Sequence, residues 1–141
     1  MTRVSRAAVA TAIAAFCVLS MVAAGCSAKP AAAPRKETIW RNVGTWSGKD
    51  RVQTESWPSD SGAMRVRWTT TNAAADGAFQ LTIHSAISGR PMQTIIDEKG
   101  NGEGTAYFSD DPRVFFVVVD SKHLDWTFTI EEPVDVIITP K

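Results

Sequence analysis

Three segments of this chain alternate apolar and polar residues with a period of two. Met64, Val66 and Trp68 alternate with Arg65 and Arg67; Phe79, Leu81 and Ile83 with Gln80, Thr82 and His84; Trp126, Phe128 and Ile130 with Thr127, Thr129 and Glu131. Successive side chains of a strand point to opposite faces of its sheet, so this period reads as half-buried strand, and the three apolar sets are expected to line one shared core. Val114–Val119 is apolar on both sides, the pattern of a central strand covered on both faces. An uncovered strand of that kind would aggregate, so its outer face is expected to meet a loop or the segment around Trp40.

The same reading extends along the chain. Stretches rich in Val, Ile, Thr, Phe and Trp predict strands at Asn42–Trp46, Arg51–Trp57, Met64–Thr70, Ala78–Ala86, Met92–Asp97, Gly104–Ser109, Val114–Asp120, Trp126–Glu131 and Val134–Thr139. Between them stand Pro58-Ser59-Asp60-Ser61-Gly62, Ala75-Asp76-Gly77, Ser88-Gly89-Arg90-Pro91, Lys99-Gly100-Asn101-Gly102 and Asp110-Asp111-Pro112, all built from turn-forming residues. Eight or nine strands of this kind predict an all-β fold, an antiparallel two-sheet sandwich. The domain is expected to span residues 38–141, the size of one ordinary domain.

The N-terminus has a different character. Arg3 and Arg6 precede an uncharged run from Ala7 to Gly25 rich in Ala, Val and Leu, which reads as a secretory signal over residues 1–25. The run comes close to the length of a spanning helix, about 20 residues, so its end decides between the two. That end, Ala23-Ala24-Gly25-Cys26, resembles the lipobox of bacterial lipoproteins. The resemblance implies cleavage before Cys26 and a diacylglyceryl group on its thiol, with Ala24 and Gly25 as the small residues of the site. The lipid would hold the domain on the extracytoplasmic side of a cell membrane or outer membrane. Residues 26–37, rich in Ala, Pro and base, are expected to form an extended tether, with Lys29, Arg35 and Lys36 available to anionic headgroups.

Composition then excludes several chemistries. The chain has two cysteines, Cys17 in the signal and Cys26 at the lipid site, so none is left for a disulfide, a thiol nucleophile or a metal. Of fifteen basic residues, the loss of Arg3 and Arg6 with the signal leaves thirteen against fifteen acidic ones. No basic footprint for nucleic acid is present.

From Val43 to Glu132 the sequence resembles small bacterial secreted or lipid-anchored β-sandwich domains of CUB-like or jelly-roll character. The residues that carry this are Gln53-Thr54-Glu55-Ser56-Trp57, Arg65-Val66-Arg67-Trp68 and Trp126-Thr127-Phe128-Thr129-Ile130. These are packing and turn residues, so the resemblance implies a fold more than an activity.

Few residues offer chemistry. His84 and His123 are the only histidines, and both read as surface residues, one on the polar side of its strand and one in a turn. Asp110, Asp111, Asp120 and Asp125 offer carboxylates, but acids gather in turns for local hydrogen bonding, and no metal site or cofactor is expected. The glycine-dense Lys99–Gly104 feeds a strand, where a phosphate loop would feed a helix, and reads as a hairpin turn. Of five tryptophans, Trp68 and Trp126 fall in core phase. Trp40, Trp46 and Trp57 lie near strand ends and are the binding candidates. The expected function is a lipid-anchored, non-enzymatic binding or accessory module with an envelope protein as partner. A carbohydrate- or small-ligand-binding module is the alternative, and an enzyme built on the histidines comes third.

Overall fold

The computed structural model describes Gly25 and residues 29–141, and the sandwich falls within Ala32–Lys141. Cys26, the expected lipid site, and the leader before it lie outside the described residues apart from Gly25. Among the described residues no helix is long and apolar enough to cross a membrane.

Among the described residues, nine strands form two antiparallel sheets: β1 (Arg35–Gly48), β2 (Val52–Gln53), β3 (Trp57–Pro58), β4 (Ala63–Thr71), β5 (Ala78–Ser85), β6 (Pro91–Lys99), β7 (Gly102–Ser109), β8 (Val114–Lys122) and β9 (Asp125–Ile138). One sheet has the order β1-β9-β4-β7, the other β2-β8-β5-β6 with β3 paired to β8 beside β2. The expected all-β sandwich is therefore the fold. Its core lies between the sheets. Met64, Val66, Phe128 and Ile130 come from one side, Phe79, Leu81, Ile83, Phe115, Val117 and Val119 from the other, and all are buried. Each side chain of this size contributes about 1.5–3 kcal/mol when fully buried.

Several boundaries differ from those expected, each for a physical reason. β1 begins at Arg35, inside the stretch assigned to the tether, because Arg35–Glu37 pair with Val136–Ile138. β9 runs unbroken through Pro133, where a break was expected. The β4 ladder has ended at Arg65↔Glu131, so beyond it β9 is flanked by β1 alone and a proline can sit on a half-paired strand. Arg51–Trp57 holds β2 and the start of β3, separated by Thr54, Glu55 and Ser56. The Thr54 hydroxyl accepts the Val117 N–H at 3.0 Å while its own N–H donates to the Val117 carbonyl at 2.9 Å, so a side chain replaces a backbone acceptor there.

The Lys99–Gly104 stretch is not a hairpin. β6 pairs with β5 and β7 with β4, so the turn carries the chain from one sheet to the other. Gly100 takes φ +77°, which glycine adopts without steric cost, and its carbonyl accepts the Thr70 hydroxyl at 2.8 Å. The cover on β8 also differs. Phe116 on its outer face stacks with the ring of His84 from the neighbouring strand at 4.9 Å, whereas Trp40 lies on the other sheet.

Candidate functional site

The outward face of the β1-β9-β4-β7 sheet carries the polar half of the alternation. Strand register arranges it in rows: Ser47, Thr127, Thr69 and Glu103; then Thr45, Thr129, Arg67 and Thr105; then Asn42, Glu131, Arg65 and Tyr107, with Trp40 beside Pro133 beyond. The Thr45 and Thr129 hydroxyls meet at 2.8 Å. A shallow groove runs across the threonine rows, with Arg67, Thr69, Glu103, Thr105, Thr127 and Thr129 along it.

At one end of this face the charges are locked together. Glu131 is buried, 7% exposed, beneath two guanidinium groups. Arg65 donates through Nε to Glu131 Oε2. Arg67 donates through Nε to Oε2 at 3.2 Å and through Nη2 to Oε1 at 2.9 Å, a two-pronged contact. The Arg65 hydrogen bond first, and that of Arg67 behind it, holds the Glu131 carboxyl below the ordinary glutamate range against the opposing effect of burial. The other side of Arg65 is covered by aromatic surface: its guanidinium carbon sits 4.4 Å from the Trp40 ring centroid. Tyr107 meets Trp40 edge-on at 6.4 Å and is itself 64% exposed.

Chemically, this is a hydrogen-bonded donor and acceptor surface beside an aromatic platform. Arg67 is the outer guanidinium, 56% exposed on its side chain against 26% for Arg65. Two of its donors are committed to Glu131, and the others of the guanidinium fork are available to a ligand.

The three tryptophans expected to bind are divided: the rings of Trp46 and Trp57 lie together at 6.3 Å, and Trp40 stands apart from them. Trp40 is the one on the outward face. Trp46 lies against the core, stacked on Phe128 at 5.2 Å, with its Nε1 donating to Glu55 at 3.3 Å. Trp57 is buried in the core, paired with Phe115 across the β3–β8 ladder. Beyond β3 the Ser59 N–H donates to the Arg113 carbonyl at 2.9 Å and continues that pairing. Arg65, Arg67, Glu131 and Tyr107 were not singled out from the sequence. The alternation assigns Arg65, Arg67 and Glu131 to a polar face, but not to one another.

The two histidines occupy separate places. His84 lies in β5 opposite Phe116, and its Nδ1 is 3.2 Å from the Gly89 carbonyl. His123 lies beyond the far end of β8, seven residues from Phe116, roughly 20 Å along the strand. Its Nδ1 meets Asp76 Oδ1 at 2.7 Å, and Lys122 Nζ meets the other oxygen at 2.7 Å. Hydrogen bonds from Lys122 and then His123 lower the Asp76 pKa to about 2. A surface depression beside this pair includes Asn72, whose amide donates to Asp125 at 2.7 Å. The remaining candidate acids are paired as well: Asp110 and Asp111 with Arg113, Asp120 with Arg51, Asp125 with Lys49. Among the described residues, no three histidine, cysteine or carboxylate side chains converge as a metal site.

No family model and no curated protein matches the chain. Among solved structures, a chain from the structure of infectious bursal disease virus Gx strain is similar at 10% identity and a TM-score of 0.34, over 76% of this chain and 37% of the viral one.

Proposed function

We propose that this protein is a lipid-anchored, non-enzymatic binding module of the cell envelope. In this reading Cys26 holds it to a membrane, and the outward face of the β1-β9-β4-β7 sheet meets an envelope protein partner. The observation that supports it is the ordered stack of Trp40, Arg65, Glu131 and Arg67 beside the exposed Tyr107. Such a surface costs little entropy on binding, because its charged side chains are already held in place. Exposed Arg and Tyr are also residue types that dominate binding energy at interfaces.

Two measurements test this reading. Mass spectrometry of the N-terminal peptide from the mature protein is expected to show a diacylglyceryl group on Cys26; an unmodified Cys26 defeats the anchor. Crosslinking in the native envelope is expected to capture a specific partner that Arg67→Ala and Tyr107→Ala each lose while remaining folded. Capture unchanged by both substitutions removes the sheet face from the proposal.

A glycan ligand is the second reading, favoured by the hydroxyl-lined groove next to an exposed tyrosine ring. It predicts quenching of tryptophan fluorescence by envelope polysaccharide through Trp40, abolished in Trp40→Phe.

A further inference from the structure

β1 and β9 continue past the end of the sandwich. The β4 ladder stops at Arg65↔Glu131, but β1 and β9 remain paired with each other from Trp40↔Pro133 to Arg35↔Ile138. The result is a two-stranded ribbon, a form only marginally stable without support. Local polar contacts hold it: Lys36 Nζ and the Thr38 hydroxyl each meet Asp135 at 2.7 Å, and Arg41 meets the buried Glu132 at 3.2 Å.

This ribbon is where exposed apolar surface concentrates. Of the five large hydrophobic residues exposed among the described residues, three lie on it: Ile137 at 75%, Ile39 at 44% and Ile138 at 37%. They face both ways. Register puts Ile39 and Ile138 on one face of the ribbon and Ile137, opposite Lys36, on the other. A protein groove covers one face of a strand pair, whereas an apolar layer that surrounds the ribbon suits residues on both. Arg35 and Lys36 stand at the same end, and Lys141 follows three residues after Ile138.

The covalent connection limits how far this end can stand from the anchor. Eight residues lie between Cys26 and Arg35, and the nine steps reach at most about 32 Å even when fully extended. A lipid on Cys26 therefore keeps the ribbon end within that distance of the bilayer.

We infer that the open end of the β1–β9 ribbon is a second membrane contact, in which Ile39, Ile137 and Ile138 enter the interfacial layer while Arg35, Lys36 and Lys141 meet anionic headgroups. The inference rests on the lipid-anchor reading above. Penetration is shallow, because the free backbone edges of the ribbon need water or headgroups as hydrogen-bond partners. A second, weak contact of this kind turns a flexibly tethered domain into an oriented one, and leaves the Trp40–Tyr107 face to the side of the membrane-contacting tip.

The test uses the full-length protein, matured in its host, with Ile137→Cys or Ile87→Cys carrying a polarity-sensitive fluorophore, in vesicles of phosphatidylcholine with or without phosphatidylglycerol. Ile87 is an equally exposed isoleucine, 79%, in the loop between β5 and β6. The expected result is a blue shift at position 137, with at least twofold stronger quenching there than at 87 by lipid-borne nitroxides. The difference is expected to grow with phosphatidylglycerol and to shrink in Arg35→Glu, which leaves the Lys36–Asp135 pair of the ribbon in place. Equal quenching at the two positions in protein shown by mass to be lipidated overturns the ribbon contact and leaves the anchor standing. A shift at 137 that follows protein density and not lipid composition overturns it in favour of self-association. Absence of the lipid mass on Cys26 defeats the anchor reading and this inference together.

Discussion

Arg67 closes a two-pronged contact on Glu131, Nε to Oε2 at 3.2 Å and Nη2 to Oε1 at 2.9 Å, from the strand beside it in the sheet. Arg65 approaches the same carboxylate from the inner side, beneath Trp40. The two arginines are consequently unequal. Arg67→Ala leaves Glu131 paired with Arg65 and is expected to cost about 1 kcal/mol. Arg65→Ala removes the more buried partner and the contact with Trp40, and is expected to cost about 2–3 kcal/mol. Urea unfolding of the two variants checks the order, and a larger loss for Arg67→Ala contradicts it.

Thr54 substitutes its hydroxyl for a backbone acceptor opposite Val117 in a buried position, 6% exposed. Thr54→Val keeps the shape and leaves the Val117 N–H without its partner, which is expected to cost about 1–3 kcal/mol. Thr54→Ser retains the hydroxyl and is expected to recover most of that loss. Chemical denaturation of the pair tests the hydrogen bond apart from packing; a loss in Thr54→Ser with none in Thr54→Val would assign the effect to the methyl group and contradict the hydrogen bond.

Gly62 and Gly89 share the same φ of +69° but differ in surroundings. A Cβ on Gly89 meets nothing within 4 Å, whereas one on Gly62 would lie 1.9 Å from the Asp110 carbonyl oxygen. Gly89→Ala is expected to cost only the left-handed backbone term, roughly 1–2 kcal/mol. Gly62→Ala must also separate the two turns that Asp110 N–H and the Gly62 carbonyl join at 3.0 Å. Thermal unfolding should place Gly62→Ala well below Gly89→Ala, and matched melting temperatures would refute the clash.

The paired carboxylates of Asp76 and Glu131 make stability depend on pH at the acid end. Both carboxyls have folded pKa values below their ordinary ones, Asp76 at about 2. For both, the folded state binds fewer protons than the unfolded state below the ordinary carboxyl pKa of about 4, so the contribution is complete above that pH and is lost on acidification, for Asp76 as pH falls towards 2. Asp76→Asn is expected to flatten the decline in stability between about pH 4 and pH 2. Denaturation at a series of acidic pH values checks it, and an unchanged slope contradicts the role of the Lys122 and His123 contacts.

The legible part of the fold is the part with a local cause. Phe79, Leu81 and Ile83 are buried as their alternation requires, and so are Met64, Val66, Trp126, Phe128 and Ile130. The turn residues at Gly62, Gly89 and Gly100 all take positive φ. The candidate site was legible only in pieces. Arg65 and Glu131 stand 66 residues apart in sequence, and nothing local to either indicates the other. Trp57, a binding candidate by its place near a strand end, pairs with Phe115 across the ladder and is buried in the core.

What the sequence determined by itself is the period of each strand, and with it which side chains face inward, because a two-residue pleat is a property of the local backbone. Tertiary structure alone decided which strands lie side by side. The Gly100 turn illustrates the difference: its residues specify a reversal, but whether β7 returns beside β6 or crosses to β4 depends on where the apolar faces of distant strands are buried. Partner and register are set by that long-range burial, and so are the Arg65–Glu131–Arg67 cluster and the ribbon that β1 and β9 extend beyond the sandwich.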